Sequence, residues 1–389
     1  MEEKAEEKTV VLKKKPLTRF GEVELLKAIA ILGLPAVHLM EEALEGGFAS
    51  VGLTKFGTAI ILLCAFGPSV FMICMGFGIG GGKTSPKSIR KNGIQFLLIG
   101  ALLNILRWLL PGILQAIVLK THLIDDVTFC LQSDIYYFVG LYFILYSFLV
   151  QWKMKAPGIL MLSAIMLTAN TLLTPLTGKY VTNNIAAALL GNIVYVNETS
   201  CFPLLSWAIF PSVGVLLGEI LKKSDEEKRE NIMRRLLDFS AVLLGSFCVF
   251  LWFYKIDIIK VLVSPANKYI TDLPNVIMLL SLALFLLSLN YYLCKKIGSS
   301  KFMEFMLRIS TFIIPFYLLQ WVIIAWVFYL LNIFGAPAGC FNIGIYAASV
   351  VAVTAICIFV TIKFGMKIMK LLLKITSFKK RKPKKKEAK

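Results

Sequence analysis

Apolar and polar residues alternate along this chain in long blocks, not in short periods. Apolar runs of near-spanning length fall at about 23–40, 56–80, 93–118, 134–151, 156–176, 202–221, 236–254, 274–294, 309–331 and 343–362. Each approaches the roughly 20 residues that a helix needs to cross about 30 Å of hydrocarbon. Only helices or closed barrels satisfy their backbone groups in lipid. These runs are too long and continuous for barrel strands. The pattern therefore predicts an all-α, polytopic membrane protein with ten transmembrane helices. The segment 182–196 is apolar but short, which suits a re-entrant or interfacial stretch.

Composition sharpens this picture. Hydrophobic residues make up 58% of the 389 positions and charged residues 17%. Average soluble domains hold about 45–50% and 25%. With a mean hydropathy of +0.76, a soluble enzyme, a disordered chain and a nucleic-acid-binding domain are all poor fits. The net charge of +19 then reads as topology. With the N-terminus in the cytoplasm, 34 of the 42 Lys and Arg residues fall in cytoplasmic segments. Six fall opposite: Lys55, Lys120, Lys179, Lys255, Lys260 and Lys268. Two remain inside spans, Lys27 and Arg107. Such asymmetry places both termini in the cytoplasm. The chain divides into a basic segment (1–22), a membrane domain (23–362) and a polybasic tail (363–389). The first segment has no apolar core of a cleavable signal, and the tail suits anionic lipid at the inner leaflet. The expected location is the cell membrane.

Other signals are weak. The eight cysteines are scattered singly, without CxxC, so no metal site is expected. Cys130 and Cys201 share an outer side and could pair there, but isolated thiols are the simpler reading. Asn197-Glu198-Thr199 is a sequon of the kind that arises by chance. The turn Gly76–Lys91 contains GGGKTS but lacks the glycine spacing and preceding strand of a phosphate-binding P-loop. Its Lys83, Arg90 and Lys91 could hold phosphate, or simply supply positive-inside charge. The two halves show no internal repeat.

Ionisable residues inside spans are expensive and mark candidate chemistry. Lys27 and His38 lie in the first span, Arg107 in the third and Asp134 at the start of the fourth. Eleven residues separate Lys27 from His38, or about 20° past three full helical turns and about 16 Å of rise. One face therefore carries both. The distance approximates that from the phosphates of coenzyme A to its thiol. Taken singly, Lys27 also reads as a snorkelling lysine and His38 as a satisfied core histidine. Glu41 and Glu42 follow His38 at i+3 and i+4, where one can orient the imidazole or both can be solvated at a helix end. Asn104 and Arg107 are i, i+3 neighbours. Arg107 can bind an acceptor or pair with Glu41 or Asp134. His122 falls in a loop.

A basic residue, ten others and a histidine opening a ten-span protein resemble the transmembrane acyltransferase superfamily. That superfamily includes acyltransferase family 3 and the heparan-α-glucosaminide N-acetyltransferase-like group. Gly76-Phe77-Gly78 is similar to the family's Phe/Gly-rich end of span 2. Lys91-Asn92-Gly93 through Gly100 and Asn104 resembles its third helix, and Asp134 through Gly140 its fourth. Phe202-Pro203 to Trp207, with Gly214 and Gly218, resembles a later motif. Ser310 to Tyr317 and Gln320 resembles a late helix. The family usually has Arg where this chain has Lys27, which keeps the charge but loses the bidentate fork. The resemblance implies an acyl-CoA donor, commonly acetyl-CoA, and a hydroxyl or amine acceptor on a glycan or glycolipid across the membrane. It places acyl transfer on His38 and CoA-phosphate contact on Lys27. Read from the residues themselves, Glu41 and Glu42 are the candidates to assist His38, Lys83, Arg90 and Lys91 to help hold CoA, and Asn104, Arg107 and Asp134, with Gln320 of the late-helix motif, to contact substrate. Expected partners are membrane lipid, acyl-CoA and the acceptor, with a homodimer left open. The rival reading is a proton-coupled transporter or flippase, in which the same intramembrane charges carry protons.

Overall fold

The computed structural model describes residues 20–64, 66–82, 84–120, 130–132, 134–197, 200–255 and 273–376. Residues 1–19, Lys83, His122, Glu198 and Thr199 of the sequon, Lys260, Lys268 and the tail from Ser377 lie outside the described residues. The described chain is helical. Its first half holds α1 (Gly21–Glu45), α2 (Val51–Cys64), α3 (Gly67–Ile79), α4 (Pro86–Asn104), α5 (Leu110–Leu119), α6 (Ile135–Gln151), α7 (Ala156–Tyr180) and α8 (Asn184–Leu190). The second half holds α9 (Leu204–Trp207), α10 (Ile209–Lys223), α11 (Glu226–Phe253), α12 (Leu273–Ile297), α13 (Lys301–Thr311), α14 (Ile313–Ile333) and α15 (Ile343–Ile375). No strand forms among the described residues, apart from an isolated bridge between Ala49 and Phe341.

All ten predicted runs fall on helix, but the count of candidate spans differs. Among the described residues eight stretches are long and apolar enough to cross a membrane, whereas α3 and α6 are shorter. Proline and capping explain the shortening. The run 56–80 breaks between α2 and α3, where Pro68 sits in the first turn of α3, a position that tolerates its missing N–H. Asp134 caps α6 by accepting the Tyr136 N–H at 3.1 Å, so this helix cannot begin earlier.

Span three stays continuous from α4 to α5 through a wider π-turn at Ile105–Leu109. Pro111 causes it. A proline has no N–H for the carbonyl four residues back and its ring crowds that carbonyl. The Leu110 N–H instead reaches back five residues to Ile105 O. This local widening carries Arg107.

Helix α1 is the hub. It packs against α2, α3, α12, α13, α14 and α15, and 67% of its apolar window is buried, against 11% for α11. Glycines bring the other pairs together. Gly76 of α3 and its C-cap Gly80 pack on the α10 backbone, and Gly214 and Gly218 of α10 pack back on α3, so each side offers a small residue every fourth position. A Cβ on Gly76 would collide with the Pro211 carbonyl, and one on Gly214 with that of Ile73. Gly93 on α4 and Gly140 on α6 are matched likewise, each 2.8 Å from the other's carbonyl if given a Cβ. The segment 182–196 forms α8 and a turn that folds back on α7. Its Tyr195 N–H donates to Asn170 Oδ1, and its carbonyl accepts from Thr177.

Candidate active site

His38 sits in the C-terminal half of α1 and is only 8% exposed. Gln320 of α14 crosses to it, with Nε2 2.9 Å from His38 Nδ1. An amide here serves either tautomer. Nε2 donates to a bare Nδ1, and after a half-turn Oε1 accepts from Nδ1–H. Gln320 is fully buried and its Oε1 has no partner. The imidazole also stacks on the Trp321 indole, with ring centroids 3.8 Å apart and planes inclined by 22°. Tyr317 lies edge-on at 6.1 Å. Tyr317, Gln320 and Trp321 stand at i, i+3 and i+4, so one face of α14 supplies all three.

The same indole carries a charge. The Arg107 guanidinium lies 4.4 Å from the Trp321 ring centroid and is 5% exposed. Its Nη1 is 3.4 Å from Asp134 Oδ2, and its Nη2 donates to Asn104 Oδ1 at 3.2 Å. Asn104 in turn donates to the Cys130 and Gln132 carbonyls. Asp134 is divided three ways. Oδ1 accepts the Tyr136 N–H, and Oδ2 accepts the Tyr317 hydroxyl at 3.2 Å as well as Arg107. A chain of contacts thus runs from His38 through Trp321 and Arg107 to Asp134 and back to Tyr317.

The structure therefore gathers His38 of α1, Asn104 of α4, Arg107 of the π-turn, Asp134 at the start of α6 and Gln320 of α14. Glu41 and Glu42 lie one turn beyond His38 at the end of α1. Glu42 is within Coulombic range of Arg107 and Glu45. Trp321 and Tyr136 were not singled out from the sequence. For Trp321 the signal was its place on the Tyr317–Gln320 face. No disulfide joins Cys130 and Cys201; the Cys130 thiol donates to the Asn104 carbonyl at 3.7 Å, and Cys201 Sγ is 3.4 Å from Gln132 Nε2.

The remaining candidates lie toward the other end of the bundle. Lys27 pairs with Glu24 at 2.8 Å, and Glu24 also accepts a hydrogen bond from Ser310 at the end of α13. Arg90 stacks over Phe148 of α6 at 4.9 Å, and Lys91 is exposed beside it on α4. Helix α4 packs chiefly on α6, so these two cations are not gathered with Lys27. The glycine-rich turn is tied down by a residue the sequence did not suggest. Lys222 Nζ donates to the carbonyls of Phe77, Gly78 and Gly80 at 2.7, 3.0 and 2.6 Å.

Among the described residues no group of three His, Cys, Asp or Glu side chains could hold a metal ion. The site holds an imidazole, an amide, a guanidinium and a carboxylate inside an apolar bundle, the groups of proton-transfer and carbonyl chemistry. These features define a helical integral-membrane protein whose polar centre lies within its spans. A family model described as an acyltransferase domain matches residues 20–362. The chain belongs to acyltransferase family 3 and is a membrane acyltransferase. No curated protein and no solved structure matches it.

Proposed function

We propose that this protein transfers an acyl group, acetyl by family default, from cytoplasmic acyl-CoA to a hydroxyl or amine across the membrane. The acceptor is a glycan, a glycolipid or a similar molecule. The single observation carrying this reading is the His38–Gln320 pair, buried on the helix that bears Lys27 three turns away. The charge distribution supports a topology with Lys27 at the cytoplasmic end, where the donor arrives, and both termini on that side. Lys27 meets the donor's phosphates, with Lys83, Arg90 and Lys91 supplying positive charge along the same membrane face. The thioester then reaches His38. Asn104, Arg107, Asp134 and Gln320 line the transfer centre. Glu41 and Glu42 stand at its outer rim.

His38 acts as the base through Nε2, with Gln320 Oε1 holding the Nδ1 proton. The acceptor O–H or N–H gives its proton to Nε2 as its heteroatom attacks the thioester carbon. The C=O pair moves on to oxygen and a tetrahedral oxyanion forms. Its collapse restores C=O and breaks C–S. The departing thiolate takes the proton from the imidazolium, which restores His38 and releases CoA. Burial keeps water from intercepting the thioester.

The test is purified protein in detergent with labelled acetyl-CoA and a membrane glycan extract. Thiol release and label in the glycan fraction are expected, and neither with His38→Ala. Transfer by His38→Ala at the wild-type rate would refute the role given to His38, whereas a wild type that neither releases thiol nor labels the glycan would favour the transport reading.

A further inference from the structure

Arg107 is an expensive residue in an unusual state. A guanidinium keeps its charge under all biological conditions and presents five N–H donors. This one is buried in the bundle, where a charge needs close partners. Yet its carboxylate contact is a single 3.4 Å approach and its amide contact is 3.2 Å. Charge-assisted pairs ordinarily close to about 2.7–2.9 Å and often form a two-pronged fork. Nε has no acceptor. Asp134 cannot satisfy it fully, because the same carboxylate also serves the Tyr136 N–H and the Tyr317 hydroxyl.

Its position is equally particular. The π-turn at Ile105–Leu109 is a local widening of the kind often found at functional sites. It delivers the guanidinium to the Trp321 indole on which His38 stacks. The only described imidazole in the spans and an under-bonded cation thus both contact the Trp321 indole. A donor left short of acceptors in the resting state is suited to a charge that exists only during the reaction.

We infer that Arg107 is a catalytic residue that binds the thioester carbonyl oxygen and stabilises the tetrahedral oxyanion. This rests on the acyl-transfer reading. As the acceptor heteroatom bonds to the carbonyl carbon, the C=O π pair moves to oxygen. That oxyanion takes N–H···O⁻ bonds from the guanidinium. On collapse the pair returns to C=O, the C–S bond breaks, and the thiolate leaves with the proton that His38 removed. Asn104 and Asp134 position the guanidinium and leave donors free. Trp321 fixes its distance from the imidazole.

Four variants test this with acetyl-CoA: Arg107→Gln, Arg107→Lys, Asp134→Asn and the double variant Arg107→Gln/Asp134→Asn. Arg107→Gln should lose about 10²–10³-fold in kcat, the usual effect of removing an oxyanion donor, with KM for acetyl-CoA within about twofold. Arg107→Lys should keep part of the rate. The double variant should be no faster than Arg107→Gln alone. Recovery in the double variant would show that Arg107 only neutralises Asp134, and would overturn the inference. So would a rise in KM without a fall in kcat, or unfolding of both Arg107 single variants. A wild-type protein that neither transfers nor hydrolyses acetyl-CoA overturns the acyl-transfer reading itself. An active wild type matched by Arg107→Gln overturns the oxyanion role alone.

Discussion

Two buried guanidiniums divide this molecule. Arg229 of α11 meets Glu22 of α1 at 2.7 Å and Glu226 at 3.4 Å, and lies over the rings of Phe20 and Tyr291. Arg107 meets one carboxylate at 3.4 Å and shares it with two other donors. Each leaves its Nε without an acceptor, so that feature alone separates nothing. The distinction is in balance. Two carboxylates face one cation at Arg229, and Tyr291 and Lys295 complete the network through Glu226 and Glu230. At Arg107 one carboxylate faces one cation in direct contact, and that carboxylate also serves two other donors. The first arrangement fastens α1 to α11 and α12. The second holds charge ready beside an imidazole.

The comparison breaks if the two regions respond alike. His38→Ala should give the largest effect, a loss of about 10²–10⁴-fold in transfer rate. Its thermal midpoint and CoA binding should stay near wild type, as read by differential scanning fluorimetry and calorimetry. Arg229→Met should do the reverse. Removing one partner of a buried pair costs about 3–5 kcal/mol, because Glu22 is left charged inside the bundle. A lower unfolding midpoint is expected, with KM unchanged in the protein that stays folded. Arg229→Met at wild-type stability would mean that the near-end network fastens nothing.

Smaller effects sharpen the site. Gln320→Leu removes the partner of Nδ1 while keeping volume. It should slow transfer roughly tenfold, the equivalent of one hydrogen bond. Gln320→His, still able to bond Nδ1, should recover much of that rate. Lys27→Ala should raise KM for acetyl-CoA several-fold with kcat little changed, the scale of one point charge near the surface. Lys27→Arg should match or improve on the native residue, since it adds a phosphate-matching fork. An unchanged KM in Lys27→Ala removes Lys27 from the donor site.

The same division separates what was legible in the chain from what was not. The helical membrane class follows from block hydrophobicity, because lipid offers no other partner for backbone N–H and C=O groups. The common face of Lys27 and His38 follows from the helical period, which depends only on local geometry. Capping by Asp134 and the break at Pro68 are also chemistry of a few adjacent residues, but the apolar pattern takes 56–80 as one run and gives Asp134 no cap. The span count was less secure, since a proline or cap shortens a helix without changing its apolar composition.

Tertiary structure decided the partners. Gln320 reaches His38 from 282 residues away, and nothing in the period of α14 says which helix its polar face will meet. Glu41 and Glu42 were the nearest acids in sequence, yet an amide from another helix takes Nδ1. Trp321 became a shelf for two charged or titratable groups because α14 packs on α1, the π-turn and α5. Arg229 counted in the sequence as one more cytoplasmic charge, and only packing buried it against Glu22. Local periodicity specifies which side chains share a face. Which faces meet depends on how whole helices rotate and cross, and here that is set by distant glycines and prolines acting through the bundle.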